Sequence, residues 1–173
     1  MASTIAEINS EQSPADRDAA ERVKSNLLAV REAIKRAADS CGRGEDLPRL
    51  VAVSKMKETP DLLAAYAAGQ RHFGENYVQE LCQKAADKRL PGDICWHFMG
   101  NLQTNKVKML VKQVPNLWIV ESCGSEKLAK ALNKAWGNRI KEEEETLARI
   151  GAGAGASTDV ERCVFLVTLA SLP

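Results

Sequence analysis

The sequence has almost no net charge. Its 24 lysines and arginines nearly cancel 23 aspartates and glutamates, leaving a formal +1 over 173 residues. Bulk attraction to nucleic acid or to a membrane surface is therefore not expected. Histidine is scarce, with two residues, and the five cysteines, Cys41, Cys82, Cys95, Cys123 and Cys163, form no C-x-x-C pair. This argues against a Cys/His metal cluster and for reduced thiols in the cytoplasm. Cys123, in a Ser-Cys-Gly-Ser loop, reads either as an inert loop residue, the simpler reading, or as a free reactive thiol. Long apolar runs are missing too: Val164 to Leu172 is broken by Thr168 and Ser171 and is too short to span a bilayer. Residues 1–13 carry Glu7 and Glu11 and no apolar core, so they read as a disordered tail and not as a leader. Neither G-x-G-x-x-G nor G-x-x-x-x-G-K-[ST] occurs, which weakens a nucleotide-binding reading. What remains is 45% apolar and 27% charged, ordinary values for one globular domain with a sizeable core.

The informative stretch is Leu50-Val51-Ala52-Val53-Ser54-Lys55. An unbroken apolar run of strand length reads as a strand covered on both faces, as in a parallel sheet. Thr59-Pro60-Asp61 then offers a helix cap, a proline for the first turn and an acid for its dipole. Lys55 thus stands at the carboxyl end of a strand, where parallel α/β folds bind ligands. It reads either as a solvated loop cation or as an amine desolvated enough to react with an aldehyde.

The rest of the chain repeats that unit. A helix is expected over Asp16–Ala38, with Val23, Leu27, Val30, Ile34 and Ala37 inward. Helix Asp61–Ala68 ends at Gly69. Strands are expected over Arg71–Glu75, Ile94–Met99 and Asn116–Val120. Asn76 looks like an N-cap, with Gln79 completing a capping box for a helix to about Lys88. A helix over Lys106–Lys112 and one capped by Ser125 and running through Trp136 follow. Alternating strand and helix argue for a parallel sheet, either doubly wound or a (β/α) barrel. After Gly137 the character changes. Lys141-Glu142-Glu143-Glu144-Glu145 reads as a solvated helix face, Ile150–Ser157 as a glycine–alanine linker, and Cys163–Leu169 as a candidate fifth strand. Five strands at most fall short of a complete barrel.

Polar groups recur at the strand ends: Ser54 and Lys55, then Glu75 and Asn76, then His97 followed by Asn101, Gln103 and Asn105. In a parallel sheet they converge on one rim. Taken singly, Asn76 is an ordinary cap, His97 an ordinary core histidine and Thr104 an ordinary cap of the next helix.

Three motifs go further. Val51-Ala52-Val53-Ser54-Lys55, Phe73-Gly74-Glu75-Asn76-Tyr77-Val78-Gln79-Glu80 and Trp96-His97-Phe98-Met99-Gly100-Asn101-Leu102-Gln103-Thr104-Asn105-Lys106 resemble, in order and at family spacing, the pyridoxal phosphate homeostasis proteins. The resemblance covers about residues 15–137. It implies a partial (β/α) TIM-type barrel like the N-terminal domain of alanine racemase. The organisation it suggests is a tail over 1–14, a cofactor-binding partial barrel over 15–138, and a divergent acidic and Gly/Ala-rich segment over 139–173. It implies pyridoxal 5′-phosphate held as a Schiff base on Lys55, with Asn76 and His97 close by. It implies a non-catalytic carrier or regulator of the cofactor, cytoplasmic and monomeric, with apo forms of cofactor-dependent enzymes as candidate acceptors. No metal, membrane or nucleic-acid partner is implied. A racemase-like enzyme and a shortened isoform that binds nothing are the alternatives. The family segments that grip the cofactor phosphate are not recognisable after residue 138.

Overall fold

The computed structural model describes residues 14–149 and 164–165. The expected tail over 1–13 and the linker over 150–157 lie outside the described residues. The chain divides into two compact units. The described part of the first comprises residues 14–50 and 56–71. In it, helix α1 (Pro14–Ser40) packs on helix α2 (Thr59–Ala67). The buried stripe of α1 differs from the expected one. Leu27 and Ala38 are buried, whereas Val30 and Ala37 face solvent. Arg31 lies between the two buried positions, donating from Nη1 to the Ala68 carbonyl at 2.7 Å and from Nη2 to Gln70 Oε1 at 3.1 Å. Gln70 Nε2 donates in turn to the Leu50 carbonyl at 2.8 Å. The stripe is thus anchored by a hydrogen-bonded cation that an apolar count overlooks. Helix α2 stops at Gly69, as expected. Its φ of 84° is the left-handed geometry that suits glycine, and Gln70 N–H donates back to the Ala65 carbonyl at 3.0 Å. Thr59 is the first helical residue and Glu58 the cap, one position earlier than expected.

The second unit holds the sheet. Its strands are β1 (Ala52–Val53), β2 (His72–Glu75), β3 (Cys95–Phe98), β4 (Leu117–Val120) and β5 (Val164–Phe165). All pairings are parallel and the order is β1-β2-β3-β4-β5. A doubly wound sheet reverses its order at a switch point; this one never does. Consecutive order is that of a (β/α) barrel, which decides between the two architectures left open by the sequence. Strand β1 is shorter than its apolar run because only Ala52 and Val53 pair with β2. Of the span Cys163–Leu169, Val164 and Phe165 are described, and they are strand.

Side chains alternate across the sheet. Phe73, Glu75, Trp96 and Phe98 share one face by register and are almost wholly buried. Helix α3 (Val78–Ala86) lies on that side, because Lys84 reaches Glu75 from it. Helix α4 (Val107–Gln113), entered through a 3₁₀ turn at Thr104–Lys106, buries Val107, Leu110 and Val111. Helix α5 (Glu126–Arg149) buries Leu128, Leu132 and Trp136 and starts as expected, with Ser125 Oγ accepting from Leu128 N–H at 3.2 Å. It does not pause at Gly137. Arg139 holds the added turns, donating to the carbonyls of Val114 (3.2 Å) and Pro115 (2.6 Å) at the end of α4 and to Glu143 Oε1 at 2.7 Å. Glu142, Glu144 and Glu145 are solvent-exposed, as the acidic run suggests.

Candidate functional site

The ladder continues one residue past each strand. Ser54 N–H donates to Gly74 O, Met99 N–H to Glu75 O and Glu121 N–H to Phe98 O, all within 2.9 Å. Val53 pairs with Gly74, and Gly74 with His97, so these three positions share the sheet face opposite the helices. Lys55 and Asn76 follow two residues beyond Val53 and Gly74, level with each other at the carboxyl ends of β1 and β2.

Lys55 is exposed, and its amine makes no hydrogen bond or ion pair among the described residues. The expectation of a desolvated amine is thus not met: the chain leaves the sheet at once, and nothing described covers the side chain. The turn is tight, with Met56 at a φ of 57°. That left-handed geometry costs a non-glycine residue about 1 kcal/mol or more and typically sits where function needs it. Asn76 does not cap the next helix. The cap is Tyr77, extended at φ −120°, with no side-chain bond. The helix begins one residue late, so the capping box does not form and the Asn76 amide is not spent on the backbone. Asn76 sits against Gly100, where a Cβ would collide with the Asn76 carbonyl; the Met-Gly-Asn sequence needs its glycine for this close approach. Asn101, Gln103 and Asn105 are exposed in the following loop.

Ser54 and Glu75 separate from Lys55 and Asn76. They face the helices and are held by a residue that pattern reading missed. Lys84 Nζ lies 2.7 Å from the Ser54 carbonyl, from Glu75 Oε1 and from Glu80 Oε1. Ser54 Oγ donates to the same Glu75 oxygen at 2.7 Å. The carbonyl that Lys84 grips is the one that precedes Lys55. Burial pushes the Glu75 carboxyl up, against the pull of Lys84 and Ser54, and its Oε2 is buried with no partner. The signal that could have found Lys84 is its place three residues after Leu81 and four after Glu80, on the buried stripe of α3.

His97 is buried at 3% exposure. Its Nδ1 lies 2.6 Å from Glu121 Oε1, and its Nε2 lies 2.9 Å from His72 Nδ1. His72 also meets Trp118 edge-on, with centroids 5.4 Å apart. Trp118 reaches this face by alternation from Leu117, and a register slip between Trp96 and His97 brings Ile119 and Glu121 to it as well. No hydrogen bond joins any two of Lys55, Asn76 and His97. Among the described residues no group of three or more His, Cys, Asp or Glu is arranged to hold a metal, and no helix is long and apolar enough to cross a membrane. Cys123 is buried, its thiol turned to the Ser125 carbonyl at 3.7 Å.

Pyridoxal phosphate asks of a site an amine for its aldehyde and polar groups around its ring. Lys55 and Asn76 supply an uncommitted amine and an uncommitted amide at one level of the sheet, so the residues present fit. Fold and site together define a partial (β/α)-barrel protein with an exposed lysine at the mouth of its first strand.

Comparison with known proteins narrows that class. The chain is 42% identical over 139 residues to the pyridoxal phosphate homeostasis protein of Bos taurus, matching 76% of this chain and 50% of the relative. The Homo sapiens protein of the same name is 45% identical over 117 residues, 64% of this chain and 42% of the relative. The Escherichia coli one is 42% identical over 92 residues, 52% and 39%. Among solved structures, PipY of Synechococcus elongatus with PLP bound superposes with a TM-score of 0.53 at 36% identity, covering 67% of this chain and 49% of that one. A Bifidobacterium adolescentis protein described as unknown superposes at 0.61 and 26% identity, covering 74% and 53%. No protein-family model matches. Over the segment it shares with them, the chain is a homologue of the pyridoxal phosphate homeostasis proteins, and it spans about half their length.

Proposed function

We propose that this chain binds pyridoxal 5′-phosphate covalently through Lys55, with Asn76 and His97 alongside, and serves the homeostasis of the cofactor in the cytoplasm rather than the turnover of a substrate. The observation that carries the reading is the uncommitted Lys55 amine beside the uncommitted Asn76 amide, at the carboxyl ends of two paired strands. Similarity to PipY, whose structure holds PLP, supports the choice of ligand. Bound there, the cofactor would supply an aldehyde and an electron-withdrawing ring. Lys55 would supply the amine that holds that aldehyde as a Schiff base. Lys84 fixes the carbonyl before Lys55, and Met56 fixes the turn after it. The Asn76 amide offers two donors and one acceptor to a planar polar ring.

A non-catalytic role is favoured by the engagement of His97. Racemisation needs a second base across the substrate from the first. Both ring nitrogens of the buried imidazole on this face are already bonded within the protein. The free thiols, Cys41 exposed among them, suit a reducing compartment.

The test is borohydride reduction in the presence of pyridoxal phosphate, followed by peptide mass spectrometry. A reduced cofactor adduct on Lys55, absent in Lys55→Ala, is expected. No adduct on Lys55 with the cofactor in excess defeats the reading. Solvent deuterium appearing at the α-carbon of an amino acid would favour a racemase instead.

A further inference from the structure

We propose that Glu121 and His72 are positioning residues for His97, and that the three side chains hold one exchangeable proton as a unit. The inference deepens the functional reading, because His97 is the ring placed beside the ligand there, but its main test does not need the ligand.

The argument begins with bonding capacity. A neutral imidazole has one N–H and one lone pair. Glu121 Oε1 lies 2.6 Å from His97 Nδ1, and an ionised carboxylate only accepts. His97 must therefore carry its proton on Nδ1, which leaves Nε2 as an acceptor. His72 Nδ1, 2.9 Å away, must then be the donor. Two rings are forced into the Nδ1–H form, against the Nε2–H form that a solvated histidine side chain prefers. The bond made by one ring nitrogen sets the state of the other.

Adding one proton reverses a bond. The charge is best placed on His97, against the Glu121 carboxylate. His97 then donates from Nε2, His72 Nδ1 becomes the acceptor, and the His72 proton moves to Nε2. One proton enters and both rings change form. Among the described residues, the titratable groups that share this face around His97 are His72 from β2, Glu121 from the end of β4 and Cys95 on β3 itself. Lys84 and Glu75 belong to the opposite face. The unit runs along the sheet from His72, level with Cys95, to Glu121 beyond the end of β4, so it spans the height of the face that ends in Lys55 and Asn76.

The chain has two histidines, so nitrogen-15 NMR of imidazole-labelled protein without cofactor reads the unit directly. At alkaline pH both rings are expected as Nδ1–H. On acidification both should respond with one common midpoint, and the His72 proton should move from Nδ1 to Nε2. In Glu121→Gln the midpoint should fall to lower pH, and Glu121→Asp should restore part of the shift. With pyridoxal phosphate bound, the pH profile of its absorbance band should move in the same direction in Glu121→Gln. An Nε2–H form of His97 in the alkaline wild-type protein overturns the proposal. So do two independent midpoints, or a His97 titration that ignores the loss of Glu121. Failure of the Lys55 adduct would defeat the binding reading and leave these tautomer states as they are.

Discussion

At Lys84 a long cation is only 8% exposed, and three oxygens stand 2.7 Å from its nitrogen. Burying it is tolerable because each ammonium hydrogen has its own acceptor. Removing it leaves the buried Glu75 carboxylate without its counter-ion, held only by the Ser54 hydroxyl, and takes from the Ser54 carbonyl the ammonium it accepts from. Lys84→Met should therefore destabilise the fold by about 3–5 kcal/mol, the range for breaking one side of a buried pair. Urea unfolding measures this, and a loss under about 1 kcal/mol would mean the contacts are replaced by water. Residue-level reading of the sequence succeeded where chemistry shows locally and failed where partners are distant. Lys55 and Asn76 were legible as strand-end groups. The grouping of Ser54 and Glu75 with them was wrong, although period-two alternation already sends neighbours to opposite faces. His72 was passed over because its meaning lies in His97, 25 residues on, and Glu121 because it shares that face only through a register slip between β3 and β4 that no local pattern announces.

Among the elements, the helices show how caps and tertiary bonds divide the work. Ser125 caps α5 as its position suggests, with Leu128 N–H on its hydroxyl. Ser125→Ala should cost about 1 kcal/mol, and Ser125→Gly less; thermal unfolding of the two variants tests that order. Asn76 shows the converse. A good capping residue three before Gln79 was no guide, because the strand ladder runs one residue further and the helix starts after Tyr77. The acidic end of α5 was read correctly as a solvated face, yet its continuity through Gly137 was not foreseen. Glycine inside a helix costs about 1 kcal/mol relative to alanine. Arg139, which takes up carbonyls at the end of α4, offsets that cost from another element.

For the whole molecule, the alternation of strand and helix was enough to announce a parallel sheet. Choosing a barrel order over a doubly wound one required the pairing itself. Global stability should also carry the mark of one buried acid. Desolvation raises the Glu75 pKa above its ordinary value of 4.5. Through the window from that value upward, the folded chain holds a proton that the unfolded chain has lost. Glu75 thus contributes stability that is complete below its ordinary pKa and declines as pH rises through the folded one. Relative to Glu75→Gln, the wild-type protein should become progressively less stable from acid to neutral pH in urea titrations. A constant gap between the two would show that the carboxyl does not titrate differently on folding.

The unbroken strand order has a further consequence, for how the chain is made. Each strand rests on the one synthesised just before it, so the sheet can be laid down from its N-terminal edge as the polypeptide leaves the ribosome. From β1 to β4 no strand waits for a distant one to complete its pairing, and the connections to be closed stay short. Vectorial assembly of this kind would leave β1, and with it the lysine at its end, in place before the last helix has been translated.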